Sequence, residues 1–377
     1  MEREENSAVS HSASPGPRAP YPMNESPPAA PVFDLTYWGA TGTMATPLLP
    51  CQATEKMVES LARLVEQGAL QRLAPGPGLR QTIAEIVDTL PFHLRSTYGG
   101  NTTCIEVNTP DGMIIFDCGT GFRELGHALL DRWRSQDSCA QRSAHILISH
   151  AHMDHTLGTP FFMPYYEGGC SFQIHALQSV IDSLTIVLSP DSLLSRVYFP
   201  PTFSEMKASI TSHSVTPGED WWIGGTHILT HPLNHPGGAL AYRIEHSGRS
   251  IVLASDHEHL QVPDPALASF ARDADLLYID GQYLQAEYDG VAGVGPDPAF
   301  SRVGWGHSSM EACVKTAVAA GVGTLHIGHR EPRRDDTGTA VFEEGLRRLV
   351  AAELEARTGP LRGCAAAVPH EGMRLTI

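Results

Sequence analysis

A chain of 377 residues, 42% hydrophobic and 18% charged, is long enough to bury a sizeable core, so a soluble globular protein of one large or two ordinary domains is expected. A formal net charge of -16 excludes the basic stripe of a nucleic-acid binder and disfavours any long polyanionic partner. Seven cysteines without a CxxC pair exclude a disulfide framework and point to a reducing compartment.

Residues 1–32 are rich in Pro, Ser, Ala and Glu, too polar to bury a core, and are expected to form a disordered tail. They contain no apolar run of the signal-peptide kind, and no window of the chain is long and apolar enough to span a bilayer. A cytoplasmic location with no membrane partner follows. The alternating segment "VFDLTYW" predicts the first strand, running into a turn at "GATGT". Met57, Leu61, Leu64 and Val65, then Ile83, Ile86, Val87 and Leu90, recur at helical spacing on either side of "LAPGPG". They predict a helical insert over 53–90, used for packing or for a dimer contact.

Strands then follow quickly. "NTTCIEVNTPDGMIIFDCGTG" predicts a hairpin turning over Thr109 to Gly112, and "LAYRIEHSGRSIVLASD" another turning at Ser247 and Gly248. "AHILISH", "SFQIHAL", "HILTHPLNH", "LLYID" and "TLHIGH" are further strands, and helices are expected over 123–134, 308–320 and 340–357. Early hairpins followed by strands interleaved with helices predict two sheets packed face to face with helices outside. The charge run "RRDDTG" reads as solvated loop.

The chemistry concentrates in "AHILISHAHMDHTLG", where an apolar strand gives way at once to His150, His152, Asp154 and His155. Imidazoles suit zinc and similar ions, and a carboxylate suits a hard or borderline one. These four complete one mononuclear site or half of two. Three more strand ends carry suitable groups: His235 in "LNHPGG", Asp256 in "SIVLASDHE" and His329 in "TLHIGHREP".

In this order, with Asp117 in "IIFDCGTG" ahead of them, the residues resemble the metallo-β-lactamase-fold hydrolases. "YGGNTTCIEV", "NHPGGALAYRI", "SDHE" and "GWGHSS" give a closer look to the branch containing ribonuclease Z and cyclic-nucleotide phosphodiesterases. The resemblance implies an α+β fold, a four-layer αββα sandwich over 33–377, and two divalent metal ions, zinc first, with manganese or iron as alternatives. It implies that His150, His152 and His235 hold one ion, that Asp154, His155 and His329 hold the other, that Asp256 bridges them, and that Asp117 orients the histidine loop. It also implies a homodimer.

Two departures bear on substrate. Thr41 in "WGATGT" stands where a subfamily has arginine, and "IDGQY" stands where ribonuclease Z has a His-Glu-Ala-Thr box. The expected activity is hydrolysis of a small phosphodiester such as a cyclic nucleotide by attack of a metal-bridging hydroxide. Asp154 would orient that hydroxide, and His307 in "GWGHSS" would donate a proton or bind phosphate. A lactonase or other ester hydrolase is the alternative, a ribonuclease Z-like nuclease the third reading, and a metal-retaining binding or sensing module the non-enzymatic one. A glyoxalase-like hydrolase or sulfatase stays open.

Overall fold

The run "SIVLA" (residues 250–254) is nearly all apolar, which a strand tolerates only when both its faces are covered. A computed structural model of the chain describes residues 33–135, 142–188, 203–295, 299–357 and 363–377; the expected tail over 1–32 lies outside them. In it Ile251 and Leu253 enter a core between two sheets, while Val252 and Ala254 enter a second core beneath helices. Leu276 and Tyr278 alternate with Leu277 and Ile279 between the same two cores. The strand period of two thus sorts a continuous apolar run into two layers.

The described strands are β1 (Asp34–Gly39), β2 (Cys104–Thr109), β3 (Gly112–Phe116), β4 (Ser143–Leu147), β5 (Ser171–Ala176), β6 (Ser209–Ser214), β7 (Asp220–Ile223), β8 (Thr226–Leu233), β9 (Ala239–His246), β10 (Arg249–Ala254), β11 (Leu276–Asp280), β12 (Thr324–Gly328), β13 (Ala365–Ala367) and β14 (Arg374–Thr376). One sheet runs β14-β1-β2-β3-β4-β5-β6 and the other β13-β12-β11-β10-β9-β8-β7. Each is antiparallel in one half and parallel in the other, from β3 to β6 and from β10 to β13. The helix Gly121–Ser135 buries Phe122, Leu125, Leu129 and Trp133 on the outside of the first sheet. Met310–Ala320 and Asp336–Glu355 cover the outside of the second. This is the expected αββα sandwich, with both hairpins in the predicted register.

The helical insert begins three residues early, at Pro50, because proline suits the first helical position and Gln52 accepts the Leu49 N–H at 2.9 Å. It consists of Pro50–Glu66, a short turn at Ala69–Arg72 and Leu79–Asp88, closed by Leu64, Ile86, Leu90 and Leu94. Of the four periodic residues in its first helix only Leu64 is buried. Met57, Leu61 and Val65 lie on an exposed face.

The charge run at 333–338 corrects the expectation of a solvated loop. Arg334 pairs with Glu287 at 2.7 Å, and Asp335 caps the following helix through the Gly338 N–H. Asp336 is buried, accepting from the Tyr98 N–H, the Thr97 hydroxyl and Lys56. These partners lie far away in sequence, and burial without them would be costly.

A separate imidazole group lies across the neighbouring strands β4, β5 and β6. His145 Nδ1 lies 3.1 Å from His175 Nε2, and the His175 ring stacks on Trp221 at 5.0 Å. Burial, with His145 and His213 adding repulsion, pushes His175 down to about 3. Its folded pKa therefore lies below the unfolded value near 6.5, so the unfolded chain binds the extra proton and stability falls as pH drops from 6.5 toward 3. Going from pH 7 to pH 5 should cost the wild-type protein about 2 kcal/mol more than a His175→Asn variant. Urea melts of metal-free protein at both values measure the difference. Parallel losses in the two proteins would contradict it.

Candidate metal centre

Five of the sequence-predicted residues follow directly on the C-terminal ends of strands that run in one direction, and so collect at one edge of the sandwich. Asp117 follows β3, the loop from His150 follows β4, His235 follows β8, Asp256 follows β10 and His329 follows β12. Ligands accumulate at such strand ends because the chain turns away there and leaves side chains over a rigid sheet. Asp117 and His329 occupy left-handed backbone, φ 59° and 51°, strain that the surrounding packing must hold.

All seven predicted ligands come together, in two groups. His150, His152 and His235 converge with Asp256 in the first, and Asp154, His155 and His329 converge with Asp256 in the second. In the first group His150 Nε2 and His235 Nε2 stand 3.5 and 3.6 Å from Asp256 Oδ2, and His235 Nε2 stands 3.1 Å from His152 Nδ1. In the second, Asp154 Oδ2 is 3.2 Å from His155 Nε2 and 3.1 Å from His329 Nε2. Those two nitrogens are in turn 3.1 and 3.2 Å from Asp256 Oδ1. Donors held tetrahedrally by bonds of about 2.0–2.1 Å are separated by about 3.3 Å, so this spacing fits an ion in each group. Asp256 offers one oxygen to each side, which is the arrangement of a bridging carboxylate. The buried Nε2 of His150 lacks a hydrogen-bond partner, a costly state that a cation relieves.

The outward nitrogens are held from behind. His155 Nδ1 donates to Asp117 Oδ2 at 2.7 Å, His150 Nδ1 to Ser149 Oγ at 3.0 Å, His235 Nδ1 to the Gly306 carbonyl at 2.8 Å and His329 Nδ1 to Gln282 Oε1 at 3.2 Å. Ser149 in turn donates both its N–H and its hydroxyl to Asp117. Each contact fixes the tautomer that leaves Nε2 inward. Asp117 therefore orients the histidine loop, as expected, and the Thr43 N–H holds Asp154 Oδ2 at 2.8 Å.

The electrostatics fit a cation pair. Burial, reinforced by His155, pushes His150 down to about 2, leaving it a neutral donor. Burial also opposes charge on His329, yet Asp256, Asp154 and Asp280 lift it to about 9. His155 is raised well above its ordinary value despite burial, by Asp256, Asp154 and Asp117. Burial works against the Asp256 and Asp154 carboxylates as well, but neighbouring imidazoles hold both well below the usual range. Without ions, protons on His155 and His329 balance these carboxylates, and binding a divalent ion displaces them.

His307 lies beside this pair, half-buried. Its Nδ1 donates to Asp280 Oδ2 at 2.7 Å, its ring stacks on His329 at 4.6 Å, and Nδ1 is 4.0 Å from Asp256 Oδ2. Asp256, Asp280, His307 and His329 also form a third metal-capable group. The 2.7 Å contact is a hydrogen-bond length, shorter than the donor spacing of the other two groups. The helix after His307 starts at Met310 with Ser309 as its cap.

Residues 113–329, more than half of the chain, match the family described as the beta-lactamase superfamily domain. This chain belongs to the metallo-β-lactamase superfamily. Within the fold of that superfamily its His and Asp side chains form donor groups able to hold metal ions. Among curated relatives, ribonuclease Z of Mycolicibacterium paratuberculosis (strain ATCC BAA-968 / K-10) is 33% identical over 144 residues, 38% of this chain and 47% of that protein. The chain thus spans about half the length of that relative. The fold is shared with Zn(2+)-bound PqqB from Methylobacterium extorquens, at TM-score 0.55 and 15% identity over 91% of this chain and 100% of that one. It is shared too with unliganded yeast PDE1, at TM-score 0.52 and 14% identity over 92% and 100%.

Within this superfamily site, four contributors escape a search for ligand motifs. Asp280 stands in "IDGQY", which the sequence shows only as a departure from the His-Glu-Ala-Thr box; the structure keeps an acid there, buried against His307. Its signal was an apolar strand, "LLYID", ending in a carboxylate, the pattern that marks Asp256. Gln282, two residues on, holds His329. Glu258 holds the "GWGH" loop, and Ser149 links Asp117 to His150. Of the two histidines beside Asp256, His257 is buried against Asp264, and His259 lies against the Tyr288 ring.

Proposed function

We propose that the protein is a dinuclear, zinc-dependent phosphodiesterase acting on a small phosphodiester, with cyclic nucleotides as the substrate class. In this reading His150, His152 and His235 hold one ion, Asp154, His155 and His329 the other, and Asp256 both. The observation that carries it is His307, fixed by Asp280 at the edge of two donor groups that share one carboxylate. Histidine-rich donor sets suit zinc. When bound, the ions supply a Lewis acid for the phosphoryl oxygens, an ionised water at neutral pH and a positive field in an acidic protein.

The chain's own groups do the rest. Asp154, fixed by the Thr43 N–H, accepts a hydrogen bond from the attacking water and sets its line of approach. His307 keeps Nδ1–H on Asp280 and, as the imidazolium, gives its Nε2 proton to the departing oxygen, ending as the neutral Nδ1–H tautomer. The ribonuclease Z relative favours phosphorus over carbon as the atom attacked. The net charge of -16 favours a small substrate over RNA.

The test is turnover by metal-replete protein of cyclic AMP, cyclic GMP, a nitrophenyl phosphodiester and an acyl-homoserine lactone, with Asp256→Ala as control. Opening of a cyclic nucleotide that the control abolishes supports the proposal. Turnover of the lactone alone sinks it. The reading includes a homodimer paired through Met57, Val58, Leu61 and Val65, all more than half exposed on the insert. Light scattering should show a dimer that a Leu61→Glu, Val65→Glu variant splits, and a monomeric wild type refutes this part.

A further inference from the structure

The loop that carries His307 is tied down more tightly than its glycines suggest. Glu258 Oε1 accepts the Gly304 N–H at 2.7 Å and the Tyr288 hydroxyl at 2.6 Å, and Oε2 accepts the Gly306 N–H at 2.8 Å. The Gly306 carbonyl takes His235 Nδ1–H at 2.8 Å, and the Trp305 N–H donates to the Arg302 carbonyl at 3.0 Å. Gly306 has φ 90°, and a Cβ there would lie 2.3 Å from His235 Nδ1, so any side chain at this position would collide with a proposed ligand. Yet Trp305, between the two pinned glycines, leaves its side chain 52% exposed, with the Phe300 ring 5.3 Å away.

A large aromatic left half in water adds little to folding. Holding its backbone at both neighbours, two residues before His307, fixes the point from which that ring projects. A flat indole carried on this pinned backbone, two residues from His307, is a surface on which a planar ring can stack, and stacking is indifferent to which base provides the ring.

We infer that Trp305 is the stacking platform for the planar ring of a nucleotidyl phosphodiester and sets a preference for nucleosidyl over alkyl esters. This rests on the phosphodiesterase reading above. Trp305 touches the part of the substrate that does not react, so its effect is on discrimination among substrates.

Two readouts test it on metal-replete protein. The first is the ratio of kcat/KM for the p-nitrophenyl ester of thymidylate to that for ethyl p-nitrophenyl phosphate, which share a leaving group. Trp305→Leu should lower this ratio by about 5- to 100-fold, mainly through KM, and Trp305→Phe should restore much of it. An unchanged ratio overturns the proposal. The second is equilibrium binding of adenosine monophosphate against ribose phosphate, where the wild type should prefer the nucleotide and Trp305→Leu should not. Equal binding by the wild type overturns the stacking site whatever the turnover. A wild type that cleaves neither ester, yet prefers the nucleotide through Trp305, overturns the phosphodiesterase reading and leaves the stacking site standing.

Discussion

Replacing Asp256 by alanine should reduce bound metal from about two ions to fewer than one per chain and lower turnover by about a thousandfold or more. Among the described residues no other side chain belongs to both donor groups: Asp256 Oδ2 faces His150 and His235 while Oδ1 faces His155 and His329. Removing it takes from both groups a shared donor and its negative charge, which weakens the hold on a cation in either. Asp117→Ala is the graded comparison. Its carboxylate touches His155 and Ser149 rather than the ion positions, so a loss of about 10–100-fold in affinity is expected. Elemental analysis after dialysis against zinc measures both. An Asp256→Ala protein that keeps two tightly held ions would falsify the bridging role.

The metal centre was legible because each ligand segment begins where a strand ends, so a local signal, apolar run then polar group, marks the place without the fold. His150, His152, Asp154 and His155 add the density that makes such marks believable. What stayed hidden depends on contacts between distant segments. Asp280 carries the same strand-end signal, but its partner His307 is 27 residues on, brought beside it by the bridge between Tyr283 and Ser309. The charges at 334–336 look solvated because Lys56, Tyr98 and Glu287, which receive them, sit in other elements. The insert fails differently: its 3.6-residue period correctly forecasts helix, but period alone does not say which side of an apolar stripe meets a neighbour, and Met57 and Val65 face out.

The Asp280–His307 contact leads to the second large effect. A nitrophenolate leaves readily without a proton, whereas the alkoxide released from a cyclic nucleotide does not. A proton donor should therefore matter far more to the second. His307→Ala is expected to slow cyclic-nucleotide opening by about 100-fold or more while slowing a nitrophenyl diester by less than about tenfold. Bound metal should stay near two ions, because His307 stacks on His329 without entering either donor group of the proposed pair. Asp280→Asn keeps the ring but weakens its hold on Nδ1, and should fall between. If the carboxylate acts through the imidazole, the double variant should be no slower than His307→Ala alone, the non-additivity expected of residues working as one unit. Asp280 also accepts the Gln282 and His257 N–H groups, at 3.1 and 3.3 Å, so a purely structural role would show as additive losses on both substrates. Equal losses on the cyclic nucleotide and the nitrophenyl ester would remove His307 from proton transfer and leave it a group that positions the phosphate.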